Sequence, residues 1–320
     1  MKVLLSVLMI ALSLTSAIAQ TVKSKMTITA GVDPSHATFY VAKLGGFFDK
    51  YGLDVQLKTG SSGSAMVPYL IKNQTQAALG AEQAGIQSFN LDPNVVVATQ
   101  AQQLLRYYGV VGKNINDLDG LKGKKVGVTL GTGGDVFWRA LVAKLNLNPK
   151  DYTIVPIDAP EMVAALERGN LDAIVVWEPW LSRILKAVPN TKLLRDNEGI
   201  INARNYVYVN REWAAQNPDA AVAFMRALSD ATDLIRNNPD EAAKLTATFL
   251  QMDQAFTKDL LGKVNFELGL DQASIDHLVE MEQQLKEAGK LAKPIDWKRF
   301  IYADILRKVA PDKVHFKLPQ

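Results

Sequence analysis

The sequence predicts an α/β protein built from two lobes that two crossover segments connect. Short β-rich runs alternate with helical stretches from Met26 onward, a pattern typical of sheets with helices packed on their faces. A second series in the same order begins near Lys125. Beyond Arg211 the strand-like runs stop, so the C-terminal third is expected to be helical.

The first series holds four predicted strands and three predicted helices. Runs rich in β-branched and apolar residues predict strands over residues 26–30, 53–58, 77–81 and 95–99. Apolar residues at helical spacing predict helices over residues 37–51, 66–73 and 82–89. This alternation favours a parallel sheet.

The second series repeats the first. Strands are predicted over residues 125–130, 152–156 and 172–177, and helices over residues 135–145, 161–168 and 179–187. At an offset of 96 residues Leu70 falls on Leu166, Ala77 on Ala173 and Glu82 on Glu178, and glycines at 31 and 131 end the corresponding first strands. The shared order of elements therefore predicts two similar lobes.

Two short β-like runs, residues 107–112 and 206–210, are positioned to carry the chain between the lobes. Lobe I is therefore predicted to be discontinuous, over residues 24–111 and 205–320, and lobe II to cover residues 112–204. Helices are expected over residues 218–236, 239–249, 272–288 and 295–309. A cleft must lie between the two lobes.

The N-terminus has the composition of a secretory signal peptide over residues 1–19. Lys2 precedes an apolar run over residues 3–14, and Ala17-Ile18-Ala19 matches a cleavage site. The run is shorter than the roughly 20 residues that span a bilayer. The chain is therefore expected to be exported to the periplasm. Because it has no cysteine, neither a disulfide nor a lipid anchor is expected.

The bulk charge gives no sign of a polyanionic partner. The formal net charge of +3 falls to +2 once Lys2 is removed, and no polybasic run is present, so nucleic acid is not expected to bind. The chain is 48% hydrophobic, enough to build its own core.

A ligand is expected at the loops that follow the strands, because helix N-termini and free backbone amides converge at the carboxyl ends of parallel strands. In lobe I these loops cover residues 33–36, 60–64 and 82–83, and in lobe II residues 131–135, 157–160 and 177–180. The predicted ligand-binding residues come from these loops, the first crossover and neighbouring helix positions: Ser35, His36, Phe39, Ser61, Ser62, Gly63, Glu82, Gln83, Tyr108, Thr132, Gly133, Gly134, Trp138, Trp177 and Glu178.

Each loop also has a purely structural interpretation. The serine-rich loop suits an anion cradle, but Ser64 could instead cap a helix. Pro68 would then lie at the fourth helical position, where its missing N–H is needed, so the regular helix is expected to start a few residues later. Asp135 suits a helix cap better than a ligand site. Trp177 and Glu178 offer an apolar wall beside an acceptor. Glu82 could be a second acceptor or a first-turn helix residue.

Catalysis and bound cofactors are not expected. The serine loop misses the G-x-S-x-G pattern, because Ser64 stands where the last glycine should be. His36 would have to serve as the base, and no acidic residue is specified to orient it. The other histidines, His277 and His315, lie far along the chain, so the sequence predicts no metal site.

Several motifs resemble the nitrate, sulfonate and taurine binding proteins associated with importers. Residues 39–48 (FYVAKLGGFF) and 51–55 (YGLDV) resemble the opening of that family, and residues 117–128 (DLDGLKGKKVGV) resemble its entry to the second lobe. Residues 164–166 (AAL), 169–173 (GNLDA) and 177–179 (WEP) resemble its exit. The resemblance spans nearly the whole mature chain and implies the type II periplasmic binding fold.

The resemblance further implies a monomeric solute-binding protein that closes around its ligand and docks on an ABC importer, contacting the permease directly, with the ATPase beyond it. In sulfonate-type members the anion is held by residues that correspond to Ser61, Ser62, Gly63, Thr132 and Gly133. This chain departs from the family in having no arginine or lysine in those loops. Nearby carboxylates favour a zwitterion such as taurine, or an amine-bearing heterocycle, over nitrate.

Three alternatives stay open. Thiamine-precursor binders and pyrimidine synthases share the fold, so the ligand could be a heterocycle or an aromatic carboxylate, and a synthase-like enzyme is a weaker alternative because of the signal peptide. A ligand sensor without a transporter would have the same cleft.

Overall fold

A computed structural model describes residues 23–319. The predicted signal peptide, residues 1–19, lies outside the described residues. The chain forms two β-sheets of seven and five strands, with helices packed against both. No helix between residues 23 and 319 combines the length and apolar character needed to cross a bilayer.

The first part of the chain alternates strands and helices as predicted. Its elements are β1 (Ser24–Gly31), α1 (Ala37–Leu44), α2 (Phe47–Lys50), β2 (Leu53–Gly60), α3 (Gly63–Met66), β3 (Ala77–Ala81), α4 (Glu82–Leu91) and β4 (Val95–Leu104). The helix predicted over residues 37–51 is two helices, because Gly46 has a φ of 73° and ends the first run. The helix predicted over residues 66–73 is a 3-10 helix, Val67–Asn73, interrupted by Lys72 at a φ of 55°.

The middle of the chain repeats this order. Its elements are β5 (Tyr108–Lys113), β6 (Lys125–Val128), α5 (Gly133–Lys144), β7 (Thr153–Pro156), α6 (Ala159–Glu167), β8 (Ala173–Trp177), α7 (Trp180–Ala187) and β9 (Thr191–Asp196). Sequence reasoning missed β9, an edge strand whose side chains are mostly half-buried or exposed.

The last part is mainly helical. Its elements are β10 (Arg204–Asn210), α8 (Arg211–Gln216), α9 (Pro218–Asn237), α10 (Pro239–Leu250), α11 (Gln254–Leu261), β11 (Val264–Asp271), α12 (Gln272–Glu287), α13 (Trp297–Phe300), α14 (Asp304–Arg307) and β12 (Val314–His315).

Two expectations for this last part were wrong. Strands do not stop beyond Arg211, since β11 follows α11. Every second side chain of β11 is buried, starting at Val264, as in a strand with one face against the core. The helix predicted over residues 295–309 is broken into α13 and α14, since the backbone between them turns extended at Ile301 to bridge Val97 of β4.

The two sheets have the same topology at their centre. The seven-stranded sheet runs β12-β11-β4-β10-β3-β1-β2, and the five-stranded sheet runs β7-β6-β8-β5-β9. In each sheet three parallel strands are followed by a strand that arrives from the other sheet, β10 or β5, and pairs antiparallel with both neighbours. The sheets are therefore mixed, not purely parallel as predicted, because the chain crosses between them twice.

The crossings themselves are short. The chain leaves β4 after Leu104 and enters β5 at Tyr108, then leaves β9 after Asp196 and returns to β10 at Arg204. The runs predicted as crossovers, residues 107–112 and 206–210, largely coincide with the strands β5 and β10 that follow each crossing. We call residues 104–108 and 196–204 the first and second crossovers.

The core beside the seven-stranded sheet is aromatic. Phe39 of α1 is fully buried and packs edge-on against Phe224 of α9, with ring centroids 5.8 Å apart. Tyr40 stacks on Phe249 of α10 at 4.2 Å. These contacts hold the C-terminal helices against α1 and fix the loop that follows β1.

Candidate ligand-binding cleft

A small cavity lies where the carboxyl ends of the parallel strands from both sheets meet. Its volume is about 30 Å³, far below the roughly 300 Å³ at which small-molecule sites begin. It is lined by loops after β1, β2 and β6, the ends of β3 and β8, the first crossover and the start of β10, through Asp33, Ser35, His36, Ser62, Gly63, Ser64, Ala81, Leu104, Tyr107, Tyr108, Thr132, Gly133, Trp177 and Asn205. We call this cavity and its lining the cleft.

Asp33 supplies a buried carboxylate to the cleft. It accepts hydrogen bonds from the backbone N–H of Ser35 at 2.9 Å and from the hydroxyl of Tyr107 at 3.1 Å. Burial raises the pKa of Asp33, but the charge of the neighbouring His36 and the hydrogen bonds from Ser35 outweigh it, so this pKa lies below its usual value. Asp33 is therefore ionised at neutral pH.

His36 is buried beside this carboxylate. Its Nδ1 lies 3.1 Å from Oδ2 of Asp33, although the alignment does not make a regular hydrogen bond. Its Nε2 has no hydrogen-bonding partner among the described residues. A side chain at position 63 would place its Cβ only 2.5 Å from that Nε2, so Gly63 is what lets the ring lie against the serine-rich loop.

The serine-rich loop uses its hydroxyls locally. Ser62, not Ser64, is the helix cap, and its Oγ accepts from the N–H of Ala65 at 3.2 Å. The Oγ of Ser64 accepts from the side chain of Gln83, which also donates to the backbone oxygen of Gly131 at 3.2 Å. Gln83 thus joins the two sides of the cleft, while Ser61 lies outside its lining.

The five-stranded sheet contributes the opposite wall. The Oγ1 of Thr132 donates to the backbone oxygen of Thr129 at 2.7 Å, which fixes the turn before α5. Gly133 lies against the Tyr108 hydroxyl so closely that a Cβ there would be 2.2 Å from the oxygen. Trp177 at the end of β8 completes an aromatic wall with Tyr108.

The other predicted carboxylates are buried but do not line the cleft. Glu82 lies 3.2 Å from Nε2 of His277. Glu178, expected to accept from ligand, is fully buried, accepts from the N–H and hydroxyl of Ser182 at 3.0 and 2.9 Å, and pairs with Lys263 across the cleft.

Three further predicted residues also lie outside the lining. Phe39 belongs to the core described above, and Trp138 packs edge-on against Tyr152 at 5.2 Å. Gly134 is in the first turn of α5, behind Gly133. Sequence alone does not tell whether an aromatic residue such as Phe39 or Trp138 packs in the core or lines the cleft, because that depends on which face of its helix points toward the sheet.

Sequence reasoning passed over several lining residues. Asp33 and Ser64 stood in the predicted loops and Tyr107 in the predicted crossover, but none was selected, and Asn205 was missed altogether. Asn205 is the second residue of the buried strand β10, where its Nδ2 donates to the Oγ of Ser35 at 3.3 Å. Two polar residues, Arg204 and Asn205, directly before the run YVYV were the available signal.

A family model agrees with this architecture. Residues 33–242 match the family described as NMT1/THI5 like. The chain belongs to the NMT1/THI5-like family. This confirms the resemblance drawn from the motifs.

Curated relatives of this NMT1/THI5-like protein include several named as binding proteins. A Brucella abortus protein named only as a binding protein is 29% identical over 194 residues, 58% of this chain and 61% of that relative. The chain thus matches about three fifths of the length of that relative. A Bacillus subtilis protein named as aliphatic sulfonates-binding is 24% identical over 296 residues, 86% of this chain and 84% of that relative.

Solved structures share the fold. The alkanesulfonate-binding protein SsuA of Xanthomonas axonopodis, bound to MOPS, superposes with a TM-score of 0.78 at 15% identity and covers 88% of this chain and 98% of its own. The desulfurization enzyme DSZB superposes with a TM-score of 0.71 at 17% identity over 91% of this chain and 99% of its own. The periplasmic binding protein fold predicted from sequence is thereby confirmed.

Within residues 23–319 no group of three or more histidine, aspartate or glutamate side chains is arranged to hold a metal ion.

Proposed function

We propose that this protein is the solute-binding component of an ABC importer, which captures a small polar organic ligand between its two sheets. The observation that carries the proposal is the cleft, where buried polar groups of both sheets face one another. A ligand that satisfies both walls stabilises the closed form and is released when the walls part. The names of its relatives support a binding role.

In this proposal the two lobes move as bodies, residues 24–111 with 205–320 and residues 112–204, about the two crossovers. The protein acts as a monomer in the periplasm after removal of its signal peptide and contacts the permease directly. The small volume of the cleft supports the need for opening, because it is about 30 Å³, whereas small-molecule sites typically have roughly 300 Å³ or more.

The charges of the cleft narrow the ligand class. No lysine or arginine is among the described residues that line it, whereas the ionised carboxylate of Asp33 is. A bare anion such as nitrate would meet the Asp33 carboxylate. A ligand with an ammonium or amine beside its polar or anionic group, such as taurine or an amine-bearing heterocycle, pairs with it, and Trp177 and Tyr108 offer flat apolar contact.

The test is a thermal-shift and calorimetry screen of the mature protein, from Gln20 onward, after unfolding and refolding to remove carried-over ligand. The panel holds alkanesulfonates, taurine, nitrate, aromatic carboxylates and aminopyrimidines. Ligand at about 1,000 times its dissociation constant adds about 4 kcal/mol of stability. The absence of any shift across the panel would contradict the proposed ligand class.

The variant Asp33→Asn reports the charge of the ligand. We expect it to weaken binding of an amine-bearing ligand by about tenfold or more, since a charge-assisted hydrogen bond is lost. It would strengthen binding of a bare anion instead. Asp158→Asn, at an exposed carboxylate on the loop after β7, is the matched control and leaves affinity unchanged.

Enzymatic activity is the alternative that the DSZB likeness raises. Against it, the hydroxyl of Ser35 donates to Asp33, that of Ser62 caps α3, and neither reaches Nε2 of His36. A serine nucleophile needs such a contact with its base. Recovery of the bound ligand unchanged after long incubation supports the receptor; appearance of product supports the enzyme.

A further inference from the structure

A second cavity lies between the two crossovers, behind the cleft. Its volume is about 290 Å³, near the lower limit of about 300 Å³ for small-molecule sites. Its walls are residues 103–106 and residues 197–199 and 201–204. Leu104 lines both cavities, so they are neighbours that share one side chain. We call this cavity the hinge pocket.

Arg204 brings a buried positive charge to the hinge pocket. Its side chain belongs to a residue only 8% exposed. One guanidinium nitrogen donates to Oε1 of Gln100. With the Gln103 amide turned so that its oxygen faces Arg204, two donate to that oxygen at 2.9 and 3.0 Å. Its Nε has no partner, and no carboxylate between residues 23 and 319 lies within the 4.0 Å of an ion pair.

Both partners of Arg204 are neutral amides, so its charge is not compensated. Taking an ion out of water is costly unless an opposite charge repays it. Arg204 lines the hinge pocket, whereas the adjacent Asn205 lines the cleft, as alternation along a strand requires. Arg204 therefore places a buried cation beside a space that can hold a counter-charge.

The remaining charges of the hinge pocket are already paired. Arg106 lies 2.7 Å from Asp196 and 3.8 Å from Glu198, the one carboxylate among the described residues of the lining. Leu105 and Ile201 add apolar surface, and Asn202 lies exposed at the rim. The pocket thus combines one uncompensated cation with an apolar wall.

We propose that the hinge pocket is a second binding site and that it takes a small organic anion, whose carboxylate, sulfonate or phosphate group pairs with Arg204. Arginine suits such groups because its donors match two oxygens at once. The site is separate from the cleft and does not depend on the function proposed above. Since both crossovers form its walls, an occupant touches the segments about which the lobes would move.

Isothermal titration of the ligand-free protein with sodium sulfate, at constant ionic strength, tests the site. Sulfate supplies the oxyanion without an organic body. We expect Arg204→Gln to weaken sulfate binding by about tenfold or more, since a charge-assisted contact is removed. Arg168→Gln, which removes an exposed arginine beyond α6, is the charge-matched control and leaves binding unchanged.

A second variant, at the rim of the hinge pocket, tests the site even if Arg204→Gln does not fold. Asn202→Asp adds a negative charge at an exposed position of the same pocket and is expected to weaken sulfate binding severalfold, whereas Asn170→Asp adds it at an exposed remote position and has no effect. A crystal soaked in selenate locates the anion directly by its anomalous scattering.

Selenate density beside Arg204 and loss of binding in both pocket variants support the site. Sulfate binding that survives Arg204→Gln and Asn202→Asp, selenate found only in the cleft, or no sulfate binding by the unaltered protein would each overturn it. These outcomes do not depend on whether the thermal-shift and calorimetry screen finds a ligand for the cleft, because sulfate binding at the hinge pocket is measured separately.

Discussion

Individual glycines decide how closely the side chains of the cleft approach one another. Gly63 leaves room for the His36 ring. A Cβ at position 63 would lie 2.5 Å from Nε2 of that ring and 2.7 Å from the backbone oxygen of Leu79. Gly133 admits the Tyr108 hydroxyl in the same way. Neither glycine needs a positive φ here, so their role is one of space, not of backbone conformation.

We predict that Gly133→Ala weakens ligand binding by about tenfold while the protein still folds. The new methyl group must displace the Tyr108 ring, and such overpacking costs about 1–3 kcal/mol. Gly134→Ala is the matched control, because its Cβ would meet nothing nearer than 3.5 Å. It should bind normally and gain about 0.5–1 kcal/mol from the better helix former. Calorimetry and thermal unfolding of both variants decide; equal affinities would refute the prediction.

Buried amides on the central strands hold the first wall in place. Gln102 of β4 donates to the backbone oxygen of Ser35 at 2.6 Å, and Asn205 of β10 donates to its hydroxyl. The sequence indicated Ser35 as a site residue but not the amides that fix it, because they are more than sixty residues away along the chain.

At the scale of elements, one side chain ties the two crossovers together. Asn197 is 2% exposed, and its Oδ1 accepts from the backbone N–H groups of Tyr107 and Tyr108 at 2.7 and 2.9 Å. Its Nδ2 donates to the backbone oxygen of Leu104 at 3.3 Å. Asn197 thereby sets the backbone from which both tyrosines enter the cleft.

We predict that Asn197→Ala destabilises the protein by about 2–6 kcal/mol, because two buried N–H groups lose their acceptor at about 1–3 kcal/mol each. Ligand affinity should fall as well, since Tyr107 and Tyr108 lose their support. Asn202→Ala, at an exposed position of the same crossover, should change stability by less than about 0.5 kcal/mol. Denaturant unfolding measures both; the idea fails if the two variants are equally stable.

At the scale of the whole molecule, ion pairs join the two sides of the cleft. Lys263, between α11 and β11, pairs with Glu178 after β8, and Lys290, beyond α12, lies 3.5 Å from Asp135 of α5. Both carboxylates are buried, whereas both lysines are about a third exposed. The pairs thus link the two sheets in the arrangement that gives the cleft its small volume.

We predict that the double variant Lys263→Gln, Lys290→Gln opens the ligand-free protein. Closure would then bury the Glu178 carboxylate without its cation, which is strongly unfavourable. The control Lys244→Gln, Lys258→Gln removes two lysines whose partners, Glu241 and Asp240, lie on the same side of the cleft. Solution scattering should give a larger radius of gyration for the first variant only. Identical profiles would show that the pairs do not govern closure.

Much of the fold follows from local pattern. Runs rich in β-branched and apolar residues predicted β1 to β3 and β6 to β8 to within two residues, and the helices expected over residues 218–236 and 239–249 are α9 and α10. The repeat of element order predicted two sheets, and the motifs at residues 39–48 and 117–128 predicted the family. These features depend on neighbours in sequence, which the chain displays directly.

Tertiary structure alone decided the rest. Each sheet is mixed because one strand, β10 in the first and β5 in the second, pairs antiparallel with its neighbours. This direction is set by where the chain crosses between the sheets, not by the residues of either strand. Glu178 faces Lys263 instead of the cleft, and Arg204 lines a separate pocket, because contacts across 85 and 104 residues fix their surroundings. Sequence by itself therefore determined which elements form and to which family the chain belongs. Which groups each buried charged side chain contacts was decided by partners that only folding brings together.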